Sequence, residues 1–475
     1  MNKNAWIWSV ITLLLVAMVF AAGATPPTNI SKDGNHSPLR ILISGFEPFG
    51  GNPRNPTGEL AQQYSTPTQV GNVLVKGVVL PVVYYQAWDK LKAEIESFHP
   101  DFILSLGFSP GSNEVRLERV AINYDRGYPD NLGKMHLGSI AKNGEKRIES
   151  DLPVSQVADI LQNRSVPTYV SNDAGGYLCN HIFYQVMNYS LSHPSQPGCF
   201  IHLPNWPIDG NSPRTLTNVL RIILEQIESR YHRAALMEFE PKHGAVVENL
   251  DQMVEAIQAA PFSRVDLIAF PEMSTTGFVW NSRDEIIDLA EPVEGNSMQT
   301  LAAAAASSEV WVAFGWPEND PKTKAFYNSY ALIDPEGKVV HVYRKHHLWG
   351  QDQNWARPSM EIESPYSTLF GNITFAICHD VVYPDAYETI GDSLGQVLLV
   401  GANWVGYTPI TTYLLLYRPA DVLILAADRK GSEADIVYPG NTCVIRRDGI
   451  IIRSLINTTI ADIPAIVYSF LDAEN

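Results

Sequence analysis

Apolar positions along the chain fall into short runs of strand length, separated by stretches with helical spacing. In the first half the strand-like runs are Ile41–Ser44, Val73–Val79, Phe102–Leu106, Tyr169–Ser171 and Cys199–Leu203. Between them Ala87–Ser97, Ser155–Gln162 and Leu216–Ile227 repeat apolar residues every three to four positions, the period of a helix with one buried face. Alternation of this kind predicts an α/β domain, an α/β/α arrangement around a largely parallel sheet. The second half reads differently. VWVAFG, SYALI, VVHVY, ITFAIC, VLLVGAN, VLILAA and TCVIRR are brief apolar runs, some joined by turns such as DPEG and RDG. With helical segments at Gly244–Ala259 and Ser297–Ala306, they predict a sheet-on-sheet sandwich covered by helices. The last helix of the first half, ending near Tyr231, runs into HRAALMEFEP without a glycine- or proline-rich tether. Two domains, 39–231 and 232–475, are therefore expected to pack together or to share an oligomer interface.

The segment before the first strand has another character. Lys3 is its only charge before Lys32, ITLLLVAMVF is continuously apolar, and Ala22-Gly23-Ala24 closes it. That is the pattern of a signal peptide over residues 1–24 cleaved before Thr25, which implies an exported protein, periplasmic or secreted. The alternative is an uncleaved membrane anchor over residues 5–24. Residues 25–38, rich in Pro, Asn and Ser, read as a linker.

Composition narrows the function. The chain has 475 residues, 45% of them hydrophobic and 18% charged, as in a globular protein of two or three domains. Asp and Glu number 51 against 34 Lys and Arg, a net charge of −17, and no basic run occurs, so nucleic acid is not expected as a partner. The 12 histidines show no zinc-like spacing and there is no CxxC pair, so no metal and no cofactor is expected. The four cysteines are expected to be free thiols.

Two of those cysteines sit where chemistry is plausible. The run VPTYV leads into the polar turn SNDAGGYLCN, and HIFYQVMNY continues as a helix, so Cys179 falls in a helix's first turn. The positive end of the peptide dipoles there favours a thiolate. CFIHLP places His202 at the end of a following strand, and GSNEVRLERVAIN places Glu118 in a strand-end loop. Thiol, imidazole and carboxylate are the parts of a nucleophile, its base and the group that orients the base. Each alone is more often a structural residue, and the combination carries the reading. Residues 39–231 resemble pyroglutamyl peptidase type I through ILISGFEPFGGNPRNPTGELA, VLPVVY, LERVAINYDRGYPDN, SNDAGGYLCN and FIHLP. The resemblance implies Cys179 as nucleophile, His202 as general base, Glu118 as its orienting residue, and Phe46 and Phe49 as walls of a slot for the flat pyrrolidone ring. Two positions depart from the family: Ser112 stands where an arginine is usual, and NYDRGYPDN is one residue short, displacing Arg126.

In the second half, VDLIAFPEM, VVHVYRK and ITFAIC read as strands ending on Glu272, Lys345 and Cys378. A carboxylate to take the thiol proton, a thiolate to attack an amide or nitrile carbon, and an ammonium to stabilise the oxyanion make one site. FPEM…GF, YRKxHLW and CHDVVYPD, followed by GANW and an Arg418-containing segment, resemble the carbon–nitrogen hydrolase (nitrilase) superfamily over residues 233–475. That resemblance implies an αββα four-layer sandwich, Glu272 as base, Lys345 as oxyanion stabiliser, Cys378 as nucleophile, and assembly into homo-oligomers. FPEMSTTGF is similar to the omega-amidase-like branch, which acts on small dicarboxylic monoamides. A second glutamate is usual seven residues after the lysine. Here Asp352 occupies it and is expected to fall short by about 1.3–1.5 Å, enough to matter for a positioned group.

The expected whole is an exported bifunctional amidohydrolase whose substrates are pyroglutamyl peptides and small amides, with membrane contact only if residues 5–24 are retained. Two alternatives stand for the second half: a degenerate binding or scaffold module, or an acyltransferase.

Overall fold

The computed structural model describes residues 38–361, 364–383, 396–418, 421–452, 458–461 and 463–469. The expected signal peptide and nearly all of the linker lie outside them. Among the described residues no helix is long and apolar enough to cross a membrane.

The first half is built on strands β1 (Leu39–Phe46), β2 (Thr68–Val70), β3 (Val73–Leu80), β4 (Phe102–Phe108), β5 (Val115–Glu118), β6 (Asp125–Pro129), β7 (Met135–Gly138), β8 (Thr168–Ser171) and β9 (Gly198–Leu203). Helices α1 (Pro56–Gln63), α2 (Gln86–Phe98), α3 (Val154–Asn163), α4 (Leu178–Ser192) and α5 (Leu216–Arg230) alternate with them. The entry to α1 shows the local logic. Asn55 accepts from the Thr57 backbone N–H, and Pro56 occupies the first turn, where its missing N–H costs nothing. The sheet runs β8-β5-β9-β4-β1-β3-β2. It is parallel except where β9 meets β5 and β2 meets β3. Both faces are buried: Ile41, Leu104 and Ile201 pack under α3 and α5 residues such as Val157 and Ile223, while Leu42, Ile103 and Phe200 pack with Leu91 of α2 and Phe183 of α4. Strands buried on both faces are why these runs read as continuously apolar.

The second half contains β10 (Arg233–Met237), α6 (Val246–Ala259), β11 (Leu267–Ala269), α7 (Asn296–Ser308), β12 (Trp311–Asp320), β13 (Ala325–Ile333), β14 (Val339–Arg344), β15 (Tyr366–Thr368), β16 (Gly371–Ile377), β17 (Gln396–Ala402), α8 (Ile410–Tyr417), β18 (Leu423–Asp428), β19 (Cys443–Ile445), β20 (Ile451–Ile452), β21 (Thr458–Ile460) and β22 (Ile463–Ser469). One sheet is ordered β14-β13-β12-β11-β10-β22-β21 and the other β15-β16-β17-β18-β19-β20. Between them Leu236, Leu267 and Leu332 meet Phe375, Leu399 and Leu425. Outside the first sheet, Met253 and Ile257 of α6 and Leu301 of α7 cover Ile268 and Val312. Ile410 and Leu414 of α8 join the core of the second sheet. Each fully buried Leu, Ile or Phe of this kind contributes roughly 1.5–3 kcal/mol.

Residues 38–475 form one compact unit, and the halves meet through buried charge. Arg233 bonds Asp101 at 3.1 Å and the Ser195 carbonyl at 3.0 Å, and Arg264 bonds the other Asp101 oxygen at 3.1 Å. Arg446 pairs with Asp151 and donates to the Glu149 carbonyl. A cavity of about 290 Å³ opens along this seam, lined by Arg119, Asp151, Asp421 and Arg446 among others. None of the nucleophile, base or oxyanion-stabilising residues named above lines it.

Candidate active sites

In the first half, three strand ends converge. Glu118 ends β5, paired in parallel with Ser171 at the end of β8 and in antiparallel with Phe200 of β9. His202 lies two residues beyond Phe200 on the same face, a diagonal neighbour of Glu118. Its Nδ1 lies 2.6 Å from Glu118 Oε1, and both side chains are buried. Glu118 therefore closes its strand instead of lying in a loop beyond it. From Ser171 the chain turns through Asp173, whose Oδ1 accepts from the Gly175 N–H at 2.9 Å, and enters α4 with Cys179 second. No side chain caps this helix, so its positive end is left for the thiol and what the thiol binds. Asn180 fixes the helix by accepting from the Ile122 N–H at 3.0 Å and donating to the carbonyls of Ile122 and Tyr124.

The electrostatics couple all three residues. Burial pushes the His202 imidazolium down, but the hydrogen-bonded Cys179 and then Glu118 more than offset this and raise it to about 9. A protonated imidazole at neutral pH is the partner a thiolate needs. Gly107 pairs with His202 across β4 and β9; a Cβ there would lie 2.7 Å from His202 Cδ2. Only glycine leaves room for the imidazole.

Phe46, at the end of β1, is buried, and half-buried Phe49 packs edge-on to Phe108 (6.4 Å) and tilted against Tyr177 (6.1 Å). Both belong to the apolar cluster that Cys179 borders. The two departures from family pattern resolve differently. Ser112 closes a local turn on Glu114 and offers no positive charge. An arginine the sequence did not single out, Arg116, pairs with His202 in the sheet and holds Ser109 Oγ at 3.0 Å. Arg126 belongs to strand β6, and its guanidinium bonds Asp173 of the nucleophile turn at 2.9 Å.

In the second half, the strands stop slightly short of the functional residues. Lys345 follows β14 directly, and Glu272 lies three residues past β11. Cys378 follows β16 at φ +45°, a left-handed conformation that is uncommon for a side-chain-bearing residue and gathers at functional sites. Lys345 Nζ lies 2.6 Å from Glu272 Oε1 and 2.6 Å from Asp352 Oδ2, all three fully buried. Asp352, expected to fall short, is within bonding distance of Lys345. The residue opens a short helical turn, Asp352–Trp355, from which its carboxylate reaches the lysine. Asn328 Nδ2 ties the carboxylates together, 2.8 Å from Glu272 and 3.1 Å from Asp352, and the Asn403 N–H donates to Glu272 Oε2 at 2.9 Å. Gly315 makes the Glu272 loop possible, since a Cβ there would stand 2.7 Å from the Glu272 Cα.

Burial raises Cys378 well above the usual thiol range, helped by Glu272 and opposed by Lys345. Burial likewise raises Glu272, against the pull of Lys345. Lys345 is held charged: burial alone would lower it, and Asp352 and Glu272 raise it well above its ordinary value. A neutral thiol, a carboxylate of raised basicity and a fixed ammonium suit proton transfer concerted with attack. Asp428, at the end of β18, is raised to about 7 by burial, against the backbone N–H groups of Trp404 and Asn441. Arg418 lies away from this triad, bonding the carbonyls of Val422, Arg446 and Arg447. Sequence reading missed Asn328 and Asp428. A lone asparagine inside the apolar run AFYNSYAL was the available signal, since a buried amide needs partners. All four cysteines are free.

Known proteins match the two halves separately. Residues 39–214 match the family model described as pyroglutamyl peptidase, and residues 233–465 the one described as carbon–nitrogen hydrolase. The pyrrolidone-carboxylate peptidase of Pyrococcus furiosus is 36% identical over 173 residues, 36% of this chain and 82% of that protein. That of Lactobacillus helveticus is 34% identical over 181 residues, 37% of this chain and 88% of the relative. The solved pyrrolidone carboxyl peptidase of Thermococcus litoralis covers 40% of this chain and 92% of itself, at 28% identity and a TM-score of 0.37.

Proposed function

Because the chain belongs to the pyroglutamyl peptidase family and carries a carbon–nitrogen hydrolase domain in the same compact unit, we propose that it is a bifunctional amidohydrolase with two independent cysteine nucleophiles. The observation that carries the first activity is the 2.6 Å His202–Glu118 bond beside Cys179, with Phe46 and Phe49 in the adjoining apolar cluster. With the proton of Cys179 already resting on His202, the thiolate attacks the carbonyl that joins pyroglutamate to the next residue. The C–N bond breaks as His202 returns the proton to the leaving amine. Water, deprotonated by the same imidazole, then cleaves the thioester and frees pyroglutamate. Phe46 and Phe49 are assigned as the apolar walls against the lactam ring.

In the second half, Glu272 takes the Cys378 proton as sulfur attacks the carbon of a small amide, and Lys345 faces the developing oxyanion. Glu272 then protonates the departing nitrogen and later activates the water that resolves the thioester. The salt bridge between Asp352 and Lys345 favours an active site over a degenerate binding module. We assign small dicarboxylic monoamides as the substrate class. Export rests on the apolar run and Ala22-Gly23-Ala24; a mature chain recovered from cells should begin at Thr25, and recovery of an intact Met1 would contradict cleavage.

The two activities are tested together. A pyroglutamyl peptide should lose its first residue by mass with the parent and with Cys378→Ala, while a panel of monoamides should release ammonia with the parent and with Cys179→Ala. An unchanged peptide mass sinks the first assignment. Absence of any thioester on Cys378 across the panel sinks the second.

A further inference from the structure

Beside the nucleophile helix, outside both catalytic sets, two imidazoles converge on one carboxylate oxygen. His136 Nδ1 and His181 Nδ1 each lie 2.7 Å from Asp125 Oδ2. The ligand atoms of the three residues all fall within 4.8 Å of one another. Asp125 and His181 are fully buried, and His136 is 23% exposed. The three come from different elements: Asp125 opens β6, His136 sits on β7, and His181 is two residues beyond Cys179 on α4.

A purely structural network would be expected to give each ring its own carboxylate oxygen. Here both rings share Oδ2, while Asp125 Oδ1 and His181 Nε2 are buried without a hydrogen-bond partner. A bare buried acceptor is costly, so this arrangement does not maximise hydrogen bonding. Two imidazoles and a carboxylate, with a fourth position left for water, do form a common donor set for zinc. Zinc bonds of about 2.0–2.1 Å place tetrahedral ligand atoms roughly 3.3 Å apart, so the ring-to-carboxylate gaps need to widen by only about 0.6 Å. His136 is carried by β7, which pairs with β6 alone, so its ring can shift without disturbing a larger sheet. Its partial exposure gives an ion its route in.

We propose that Asp125, His136 and His181 form a binding site for a divalent transition-metal ion of the zinc class, which ties the β6–β7 hairpin to the helix that carries Cys179. The ion takes no part in the peptide cleavage described above. It fixes the hairpin beside the nucleophile, where aromatic residues Tyr84 and Tyr85 pack edge-on against His181 (5.4 and 5.5 Å).

Cobalt(II) is the probe, added to the metal-stripped full chain carrying Cys179→Ala and Cys378→Ala so that neither nucleophile offers a sulfur ligand. The expected result is visible d–d absorption that saturates at one ion per chain, without sulfur-to-cobalt charge transfer. Zinc(II) should displace it and raise the melting temperature. Adding His136→Ala or His181→Ala should abolish the band. Should His181→Ala fail to fold, His136→Ala, on the hairpin, carries the test alone. Absence of saturable absorption at submillimolar cobalt, or a band unchanged by His136→Ala, overturns the proposal.

Discussion

Replacing Glu118 by glutamine removes a charge while nearly keeping a shape, which separates electrostatics from orientation at the peptidase site. His202 is raised from its ordinary 6.5 to about 9, a differential stabilisation of the imidazolium of roughly 3 kcal/mol at 1.36 kcal/mol per unit. Cys179 is the larger source and Glu118 the smaller. A hydrogen bond to a charged group is worth about 1.5–3 kcal/mol and a neutral one about 0.5–1.5 kcal/mol, so neutralising Glu118 should cost about 1.4 kcal/mol, or tenfold. The Gln amide oxygen can still accept from Nδ1–H, so the tautomer is retained and the total loss in kcat/KM should be about 10- to 100-fold. Glu118→Ala removes the acceptor as well, leaves the ring free to turn, and should cost more than Glu118→Gln. The sign follows from a base whose folded value is raised: the imidazolium persists up to about pH 9 in the parent. The alkaline limb of fluorophore release from a pyroglutamyl amide should therefore move down by about one unit in Glu118→Gln. An unmoved limb with kcat/KM within about twofold of the parent would refute this reasoning.

Other outcomes follow from the same geometry. Gly107→Ala places a methyl 2.7 Å from the His202 ring and should cost about 1–3 kcal/mol of stability and most peptidase activity, read by melting and kinetics. Asp352→Ala leaves the fully buried Lys345 with one counter-charge. It should destabilise by about 3–5 kcal/mol and abolish amide hydrolysis while pyroglutamyl release survives, which assaying both activities on one preparation checks. Asp428, raised from 3.8 to about 7 by burial, contributes its stability fully below about pH 4 and loses it as pH climbs through 7, by at most about 4 kcal/mol. Urea midpoints across that window should fall in the parent and flatten in Asp428→Asn.

Much of this was legible because local signals and tertiary structure agree. The runs around Ile41, Val73, Phe102 and Cys199 are strands buried on both faces, and such strands announce themselves as continuous apolar segments. The nucleophile turn before Cys179 was readable because a glycine-bearing polar segment between a strand-like and a helix-like run marks a turn. What was not legible depends on contacts distant in sequence. The antiparallel pairing of β9 with β5, which sets His202 diagonal to Glu118, leaves no mark in either strand. Asp352 was expected to fall short because side-chain length is visible in sequence and backbone position is not. Asp125, His136 and His181 lack the regular spacing of a metal motif, and only the hairpin against α4 brings them together. Asn403 works through its backbone N–H, which no residue type can signal.

Two separate cysteine sites in one chain make opposite demands on the two cysteine variants. The decisive measurement is fluorophore release from a pyroglutamyl amide by the purified mature parent, Cys179→Ala and Cys378→Ala. The prediction is parental activity in Cys378→Ala and loss in Cys179→Ala alone. Release that survives in Cys179→Ala, or a parent with none, would contradict the assignment of Cys179. Loss in both variants would contradict the independence of the two sites.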